Sequence, residues 1–309
     1  MAANTTIIVA SDDNAFPGLL VLLSSAAINH LKGRGLAIHL IDCGLSDRNQ
    51  RLLKESVSAM NPSAWFDFRK PDSTKLSGLR VETAGLFTYA RLVSAELFPE
   101  MERAIYLDTD VVVNRDLSEL FDLGLQDMPI GAVQDRYTPV ASHPLSILDW
   151  QNRGMSADEP FFNAGVLLID YAKWREEKIG ERALEFARSN KEICVRWDQT
   201  ALNILLYKKW KSLPTHWNYM VYSNIEEEWG GAGKNFHITG QPKQWDMAPR
   251  TNTVLQDMFF GYLDQTKMRG WRPWSPNRES KWRLFLQQTF PRAHAAWKKL
   301  RPMLPSQST

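Results

Sequence analysis

Hydrophobic and polar positions in the first part of the chain alternate between short apolar runs and longer helical patterns. Strands are predicted at residues 5–10, 36–41 and 65–68, because these runs are rich in β-branched, apolar or aromatic residues. A largely apolar helix is predicted at 16–31, and Ser46 caps a second helix with leucines at helical spacing. This order predicts an α/β fold, a mainly parallel sheet with helices on both faces.

The same patterns continue along the middle of the chain. The further predicted elements are a helix at 83–97, strands at 104–113, 129–133 and 161–170, and helices at 172–189 and 198–208. From about residue 214 the pattern becomes aromatic and irregular. We therefore expect one large α/β domain with a different kind of segment after it.

Two carboxylates interrupt the apolar run at 104–113. Asp108 and Asp110 are two positions apart, so in a continuous strand their side chains lie on the same face. Converging carboxylates repel each other unless a cation lies between them, and hard ions such as Mg²⁺ and Mn²⁺ prefer oxygen ligands. In doubly wound sheets, ligands bind beyond the carboxyl ends of the strands, where Asp12 and Asn14 also fall. The pattern predicts a metal site at that edge.

Charge is distributed unevenly along the 309 residues. The net charge of +2 argues against general nucleic-acid binding. Residues 264–309 carry ten Lys or Arg against Asp264 and Glu279, a net of +8, so the remaining residues sum to −6. Two cysteines exclude a disulfide framework, and the first lysine is Lys32, which argues against a secretory signal. We expect a cytoplasmic protein.

The basic tail also contains aromatic residues at helical spacing. Trp282 and Phe285, and later Trp297 and Leu300, predict an amphipathic helix interrupted by Pro291. Such a helix suits peripheral attachment to an anionic inner membrane. The alternative is a helix packed on the domain with its charges in solvent. We divide the chain into a catalytic domain, 1–263, and a basic aromatic appendage, 264–309.

Several short motifs resemble glycosyltransferase family 8, above all its bacterial lipo-oligosaccharide galactosyltransferases and glucosyltransferases. In chain order they are Val9-Ala10-Ser11-Asp12-Asp13-Asn14, Thr88-Tyr89-Ala90-Arg91-Leu92, Ile105-Tyr106-Leu107-Asp108-Thr109-Asp110, Phe162-Asn163-Ala164-Gly165-Val166-Leu167-Leu168, Asp198-Gln199 and His237-Ile238-Thr239-Gly240-Gln241-Pro242-Lys243. Each motif is weak alone, but their order and spacing over about 5–245 are specific. The resemblance implies a Rossmann-like GT-A fold and a retaining, metal-dependent transferase that uses UDP-sugars.

The resemblance also implies roles for individual residues. Asp108, Asp110 and His237 are expected to bind the metal, Mn²⁺ with Mg²⁺ as the alternative, since imidazole suits Mn²⁺ better. The remaining expected nucleotide-sugar contacts are Ala10, Asp12 and Asn14 for uridine, Gly240 and Lys243 for diphosphate, Thr109 of the metal-binding motif, and Arg91, Asn163, Ala164, Gly165, Asp198 and Gln199 for the donor sugar. Asp135 is expected near the acceptor, a saccharide or glycolipid.

Retention of configuration at the anomeric carbon implies either a covalent intermediate or attack from the same face from which the leaving group departs. Gln199 matches the residue beneath the anomeric carbon in the family, and an amide is a poor nucleophile. We therefore favour same-face attack, with Asp198 the alternative nucleophile.

Two positions depart from the family pattern. Ala15 replaces a frequent tyrosine, and Arg196 replaces an aromatic residue of a relative, so acceptor recognition is expected to differ.

Two other functions remain open at this stage. Apolar residues followed by Asp-x-Asp also match the nucleophile strand of haloacid-dehalogenase-like phosphatases. A non-catalytic carbohydrate- or membrane-binding protein is the second alternative, and it predicts loss of the metal triad. Neither alternative accounts for His237.

Overall fold

The chain folds around two sheets. A computed structural model describes residues 4–80, 86–222, 233–241, 243–245 and 253–273. The strands are β1 Thr5–Ser11, β2 Leu36–Asp42, β3 Ala64–Arg69, β4 Arg103–Leu107, β5 Val111–Val112, β6 Ile130–Gln134, β7 Phe162–Asp170, β8 Trp210–Ser212, β9 Tyr219–Tyr222 and β10 Phe236–Thr239. One sheet has seven strands in the order β3-β2-β1-β4-β7-β6-β8, and the other has the order β5-β10-β9.

The seven-stranded sheet is parallel except for one strand. Strand β7 runs antiparallel to both of its neighbours, β4 and β6, while the pairs β1–β2, β2–β3, β1–β4 and β6–β8 are parallel. The mainly parallel α/β fold predicted from the sequence is thus confirmed. Residues 162–169 of β7 are all buried, and a strand that is buried on both faces reads as a nearly continuous apolar run in either direction.

Helices cover both faces of this sheet. They are α1 Phe16–Ile28, α2 Asp47–Met60, α3 Ser94–Leu97, α4 Leu117–Phe121, α5 Tyr171–Glu176, α6 Ile179–Ser189, α7 Trp197–Leu205 and α8 Thr253–Leu263, with 3₁₀ helices at Ser73–Leu76, Leu86–Val93 and Thr215–Trp217. Alternate residues of β1 face opposite layers, Ile7 packing with α1 and Ile8 with α6. Ser46 caps α2 as predicted, accepting from the Asn49 N–H.

Three predicted elements differ from the structure. The single helix predicted at 83–97 is a 3₁₀ helix followed by the short α3, and residues 81–85 lie outside the described residues. The helix predicted at 172–189 is two helices, because Lys178 adopts a left-handed φ of 51° between them. The strand predicted at 104–113 ends at Leu107 and resumes as β5 in the other sheet.

The predicted boundary at residue 263 stays a prediction. The first residues beyond it pack on the domain: Met268 and Trp271 contact the core, and Lys267 N–H donates to Ser56 Oγ (3.1 Å). The predicted amphipathic helix lies in 274–309, outside the described residues. In the part of the chain that the structure describes, no helix has the length and apolarity needed to cross a membrane.

Candidate active site

A cavity of about 660 Å³ opens at the carboxyl ends of β1 and β4. All but two of the site residues predicted from the sequence lie on its wall. They are Ala10, Asp12, Asn14, Arg91, Asp108, Thr109, Asp110, Asn163, Ala164, Asp198, Gln199, His237, Gly240 and Lys243. Gly165 and Asp135 lie behind this wall, within hydrogen-bonding reach of wall residues. The edge of the sheet therefore gathers side chains from widely separated parts of the chain.

The acidic residues and the histidine meet where the two sheets join. The Asp108 N–H still bonds the Gly165 carbonyl on β7 (2.8 Å), and the chain then turns, with Val111 N–H bonded to the Asp108 carbonyl (3.1 Å). Because β10 runs antiparallel to β5, His237 lies opposite Val111 and next to Asp110. Convergence of the two acids thus results from a turn and a neighbouring strand, not from strand periodicity.

The three side chains form a compact donor set. His237 Nε2 is 3.2 Å from Asp110 Oδ1 and 4.0 Å from Asp108 Oδ2. One ligand atom from each residue lies within 4.8 Å of the others. The His237 side chain is 5% exposed and that of Asp108 is 28% exposed, so the cluster opens to the cavity on the Asp108 side.

Hydrogen bonds determine which nitrogen of His237 faces the acids. Its Nδ1 is 2.9 Å from Asn218 Oδ1, and the Asn218 amide nitrogen donates to Asn163 Oδ1 (2.9 Å). Since Asn218 Oδ1 only accepts, His237 Nδ1 is the donor of this bond, and Nε2 is the ring nitrogen that faces Asp110. Nε2 thus offers a nitrogen ligand beside two carboxylates, which repel each other unless a cation lies between them. The donor set therefore fits a divalent ion.

Gly165 makes room for this arrangement. A Cβ at residue 165 would lie 2.2 Å from His237 Cε1 and 2.8 Å from Asp108 Oδ2. Any larger side chain would displace the ring or the carboxylate. The glycine that the sequence places in a strand is thus required by the close approach of β10 to β7.

Arg91 joins two of the buried acids. Its Nη2 donates to Asp108 Oδ1 (2.9 Å), its Nε lies 2.7 Å from Asp198 Oδ2, and its Nη1 donates to the Ala164 carbonyl. Burial opposes the charge on Arg91, but Asp108 and Asp198 together raise its pKa above the usual value. Burial raises the pKa of Asp198 to about 6, although Arg91 opposes that shift. Arg91 is therefore the permanent positive charge that both carboxylates face.

Lys243 brings a second cation to the cluster. Its ammonium group bonds the Asp110 carboxylate and donates to the Ile238 carbonyl (3.1 Å). Burial would raise the pKa of Asp110, but Lys243 and His237 outweigh it and hold the pKa below its ordinary value of 3.8. Gly240, between His237 and Lys243, has a left-handed φ of 76°, which a larger residue adopts only with strain.

The end of β1 forms the adjoining wall. Ala10 is 2% exposed. Asp12 Oδ1 accepts the Ala15 N–H (3.0 Å), and Asn14 Nδ2 donates to Asp12 Oδ2 (3.2 Å). This turn leads directly into α1, so the backbone between β1 and α1 faces the cavity with amide and carboxylate groups on it.

Gln199 and Asp135 are held by a shared hydrogen-bond network. Gln199 Oε1 accepts the Ala164 N–H (3.1 Å), and Gln199 Nε2 donates to Asp135 Oδ2 (3.1 Å). Asp135 also accepts from Asn163 Nδ2 (3.0 Å) and from two backbone N–H groups. Burial opposes its ionisation, but these four bonds lower the pKa of Asp135. With its acceptor sites filled behind the wall, Asp135 is placed to position Gln199 and Asn163 and does not contact the cavity.

Several residues of the site were not predicted, among them Asn218, Trp197 and Trp245. Asn218, 1% exposed, orients His237, and the sequence shows it only as a polar residue in an aromatic stretch. Trp197 lines the cavity with a left-handed φ of 51°. Trp245 lines it as well and packs its ring 5.9 Å from that of Phe259 on α8. An isolated Asn before a strand, or a Trp before an Asp-Gln pair, is the only sequence signal for the first two.

Comparison with known proteins identifies relatives of this chain. It is 25% identical over 280 residues to General stress protein A of Bacillus subtilis (strain 168), covering 84% of this chain and 93% of that protein. It is 31% identical over 169 residues to a lipopolysaccharide 1,2-glucosyltransferase of Escherichia coli (strain K12), covering 51% of this chain and 48% of that protein.

A solved structure has the same fold. The galactosyltransferase LgtC, crystallised in complex with donor and acceptor sugar analogs, superposes with a TM-score of 0.71 at 23% identity. The superposition covers 85% of this chain and 96% of LgtC. The GT-A-type architecture expected from the sequence is therefore confirmed.

The family model described as glycosyl transferase family 8 matches residues 6–246, which hold both sheets and every described residue of the cavity wall. The chain belongs to glycosyl transferase family 8.

Proposed function

We propose that this transferase moves a hexose, galactose or glucose, from a UDP-sugar to a saccharide or glycolipid acceptor with retention and with Mn²⁺. The observation that carries the proposal is the cluster of Asp108, Asp110 and His237 at the cavity wall. Relatives whose names specify sugar transfer, the Escherichia coli glucosyltransferase and LgtC, support the choice of substrate class.

The metal is proposed to bind through one imidazole nitrogen and the two carboxylates. Nε2 of His237 is the free nitrogen, because Asn218 binds Nδ1. A mixed nitrogen and oxygen donor set favours Mn²⁺ over Mg²⁺, which prefers oxygen ligands. When bound, the ion stabilises the negative charge that develops on the departing UDP.

The chain's own residues bind the nucleotide on either side of this cluster. Ala10, Asp12 and Asn14 supply backbone and side-chain groups that can pair with a uracil ring and a ribose. Lys243 bonds Asp110 in the described structure, and its flexible ammonium reaches a diphosphate at the same place. The backbone of Gly240 approaches the same region without a side chain in the way.

The donor sugar is proposed to lie against β7 and α7. Asn163, Ala164, Asp198 and Gln199 line the wall there, and Arg91 holds Asp198 in place. Gly165 keeps the strand close to His237. Buried groups that bond hydroxyls discriminate against sugars that lack them.

Retention is proposed to proceed by attack from the face that UDP leaves. The acceptor hydroxyl oxygen forms the new bond to the anomeric carbon, the bond from that carbon to the UDP oxygen breaks, and the hydroxyl proton passes to the departing phosphate. Gln199 is bonded to Ala164 and Asp135 at the two ends of its amide, and we propose that it lies as a neutral group beneath the reacting carbon. A sugar adduct on Asp198, trapped and seen by mass spectrometry, would replace this mechanism with a covalent one.

The experiment that tests the function is UDP release from UDP-galactose and UDP-glucose, with Mn²⁺, with Mg²⁺ and after chelation. We expect release that requires a divalent ion and that a saccharide acceptor accelerates. The thermal unfolding temperature with UDP and Mn²⁺ together should be higher than with either alone, since a bound ligand stabilises the folded state. If neither effect is seen, the non-catalytic binding protein is the alternative that remains. The phosphatase alternative no longer has a basis, because the chain belongs to a glycosyltransferase family.

A further inference from the structure

The cavity wall carries three cationic side chains in the described part of the chain, and they differ in their partners. Arg91 is bound by Asp108 and Asp198, and Lys243 is bound by Asp110. The guanidinium of Arg196 has no hydrogen bond, ion pair or ring contact among the described residues. Its backbone N–H alone is engaged, with Thr200 Oγ1 (3.1 Å). Arg196 is half-buried and lines the cavity, so a guanidinium that no described residue engages is available to a ligand.

The position of Arg196 separates it from the proposed nucleotide groups. It directly precedes α7, which is fixed to β7 by two side chains: Gln199 bonds Ala164, and Asn203 bonds both the N–H and the carbonyl of Phe162 (2.8 and 2.9 Å). In the sheet, β7 lies on the opposite side of β4 from β1. The wall thus passes from the proposed uridine end at β1, through the acidic cluster after β4, to α7. Arg196 lies at the end where an acceptor would approach the sugar.

Trp197 gives that end an aromatic side chain beside the charge. Its φ of 51° is left-handed, a conformation that a residue with a large side chain rarely adopts. Its indole lies on the cavity wall and is partly buried against the core. The adjacent pair offers one apolar ring and one planar cation, the combination that binds a sugar ring bearing an anionic group.

We propose that Arg196 binds an anionic substituent of the acceptor, a phosphate or a carboxylate, so that the acceptor is an acidic saccharide. The inference rests on the transferase function proposed above. Arginine suits this role because its planar fork makes two parallel hydrogen bonds to a carboxylate or phosphate, whereas a lysine acts as a point charge. The proposal assigns Arg196 to acceptor choice and leaves the diphosphate to Lys243 and the acidic cluster.

The test measures sugar binding by calorimetry to the full-length protein saturated with UDP and Mn²⁺. Saturation fills the proposed nucleotide end, so that an acidic sugar cannot bind there. The probes are glucose, glucose 6-phosphate and glucuronic acid, which share a ring and differ in charge and in the kind of anion. We expect one or both acidic sugars to bind at least about tenfold more tightly than glucose.

Variants then locate the preference. Arg196→Gln should reduce the ratio of acidic to neutral affinity by about tenfold, and Arg196→Lys should retain part of it. Arg51→Gln, which removes a charge from the exposed surface of α2, is the matched control and should keep the full ratio. Thermal unfolding of each variant shows whether it is folded.

The possible failures are distinguishable. Equal binding of neutral and acidic sugars by the wild-type protein would overturn the acceptor inference while UDP binding still supported the transferase function. A loss of UDP affinity in Arg196→Gln that equals its loss of sugar affinity would assign Arg196 to the nucleotide and overturn the inference too. If UDP binds with no requirement for a metal, the proposed function itself fails.

Discussion

Two clusters in the described part of the chain combine a histidine with two acidic side chains, but their surroundings differ. In each, one ligand atom per residue lies within 4.8 Å of the others: Asp108, Asp110 and His237 in the first, and His39, Asp67 and Glu100 in the second. The first cluster lines the cavity. The second lies at β2 and β3, on the edge of the sheet.

An arginine already neutralises the second cluster. Arg69 Nη2 lies 2.8 Å from Asp67 and 2.6 Å from Glu100, and its guanidinium stacks over Phe98 at 4.8 Å. His39 packs edge-on against both Trp65 and Phe98, and its Nδ1 lies 3.6 Å from Asp67 Oδ2. The same residue types are thus satisfied by a fixed cation of the protein.

The difference shows that residue type and distance alone do not define a metal site. In the first cluster, Asn218 orients the imidazole, Gly165 leaves space beside it, and the acids face a cavity. In the second, the space between the carboxylates is taken by a guanidinium. Access and orientation of the lone pair therefore decide which cluster can bind an ion.

The largest expected effect comes from removing one acid of the first cluster, with the same change in the second cluster as its control. Asp110→Asn should lower metal-dependent UDP release at least about a hundredfold, because a ligand and a negative charge are lost together. Asp67→Asn, the matched change in the second cluster, should leave the rate within about twofold. Steady-state UDP release with Mn²⁺ measures both. Similar losses in the two variants would contradict the distinction between the clusters.

Closing the space beside His237 should have the next largest effect. Gly165→Ala places a Cβ 2.2 Å from the ring, so the imidazole must move, and we expect Mn²⁺ affinity to fall about 10–100-fold. Electron paramagnetic resonance of free Mn²⁺ measures this directly. Gly261→Ala is the control, since its Cβ meets no atom within 4 Å and alanine should stabilise α8 by about 0.5–1 kcal/mol. Unchanged Mn²⁺ binding by Gly165→Ala would refute the proposed ligand set.

Removing Arg69 should convert the second cluster into a metal site. Arg69→Ala leaves Asp67, Glu100 and the neighbouring His39 Nδ1 without the fixed cation, and we expect a loss of about 1 kcal/mol of stability. We also expect a rise in melting temperature on addition of Zn²⁺ that the wild-type protein does not show, because nitrogen and carboxylate oxygen are zinc ligands. The double variant with His39→Phe should lose that rise. A variant that gains no Zn²⁺ response would show that Arg69 is not what excludes the ion.

The smallest effect is a pH dependence of stability at the second cluster. Burial lowers the pKa of His39 from its ordinary 6.5, against the opposing effect of Asp67. As the pH falls below 6.5, the unfolded state binds a proton at His39 before the native state does, so stability is lost. The free energy of unfolding, measured with urea, should therefore fall more between about pH 7 and about pH 5 for the wild-type protein than for His39→Phe. Parallel curves for the two proteins would exclude this contribution.

Much of the fold could be predicted because it follows from local patterns. The apolar runs became β1, β2, β3, β6 and β7 with bounds close to those expected, and Ser46 caps α2. The polar residues after β1 and β4 were expected at one edge because both strands are parallel and neighbours. His237 could be assigned only through resemblance, since no local pattern relates it to the two acids.

Other features carried no local signal. Asp108 and Asp110 converge through a turn between two sheets, and the continuous strand predicted for them was wrong, because an apolar run does not show where a chain changes sheet. The division of α5 from α6 depends on the left-handed Lys178, a conformation that lysine rarely adopts. The bond from Asn218 to His237 joins a residue just before β9 to one on β10, which are far apart in the sequence.

The amino-acid sequence by itself determined the succession of elements, the buried faces of the strands and the presence of acids at strand ends, because these depend on periodicity and on which residues exclude water. Tertiary structure decided the reversed direction of β7, the orientation of His237 by Asn218, and which cations are bound already. Arg69, Arg91 and Lys243 are paired and the Arg196 guanidinium is open to the cavity among the described residues. A charge acts on whatever lies within a few ångströms of it, and only folding determines that neighbourhood.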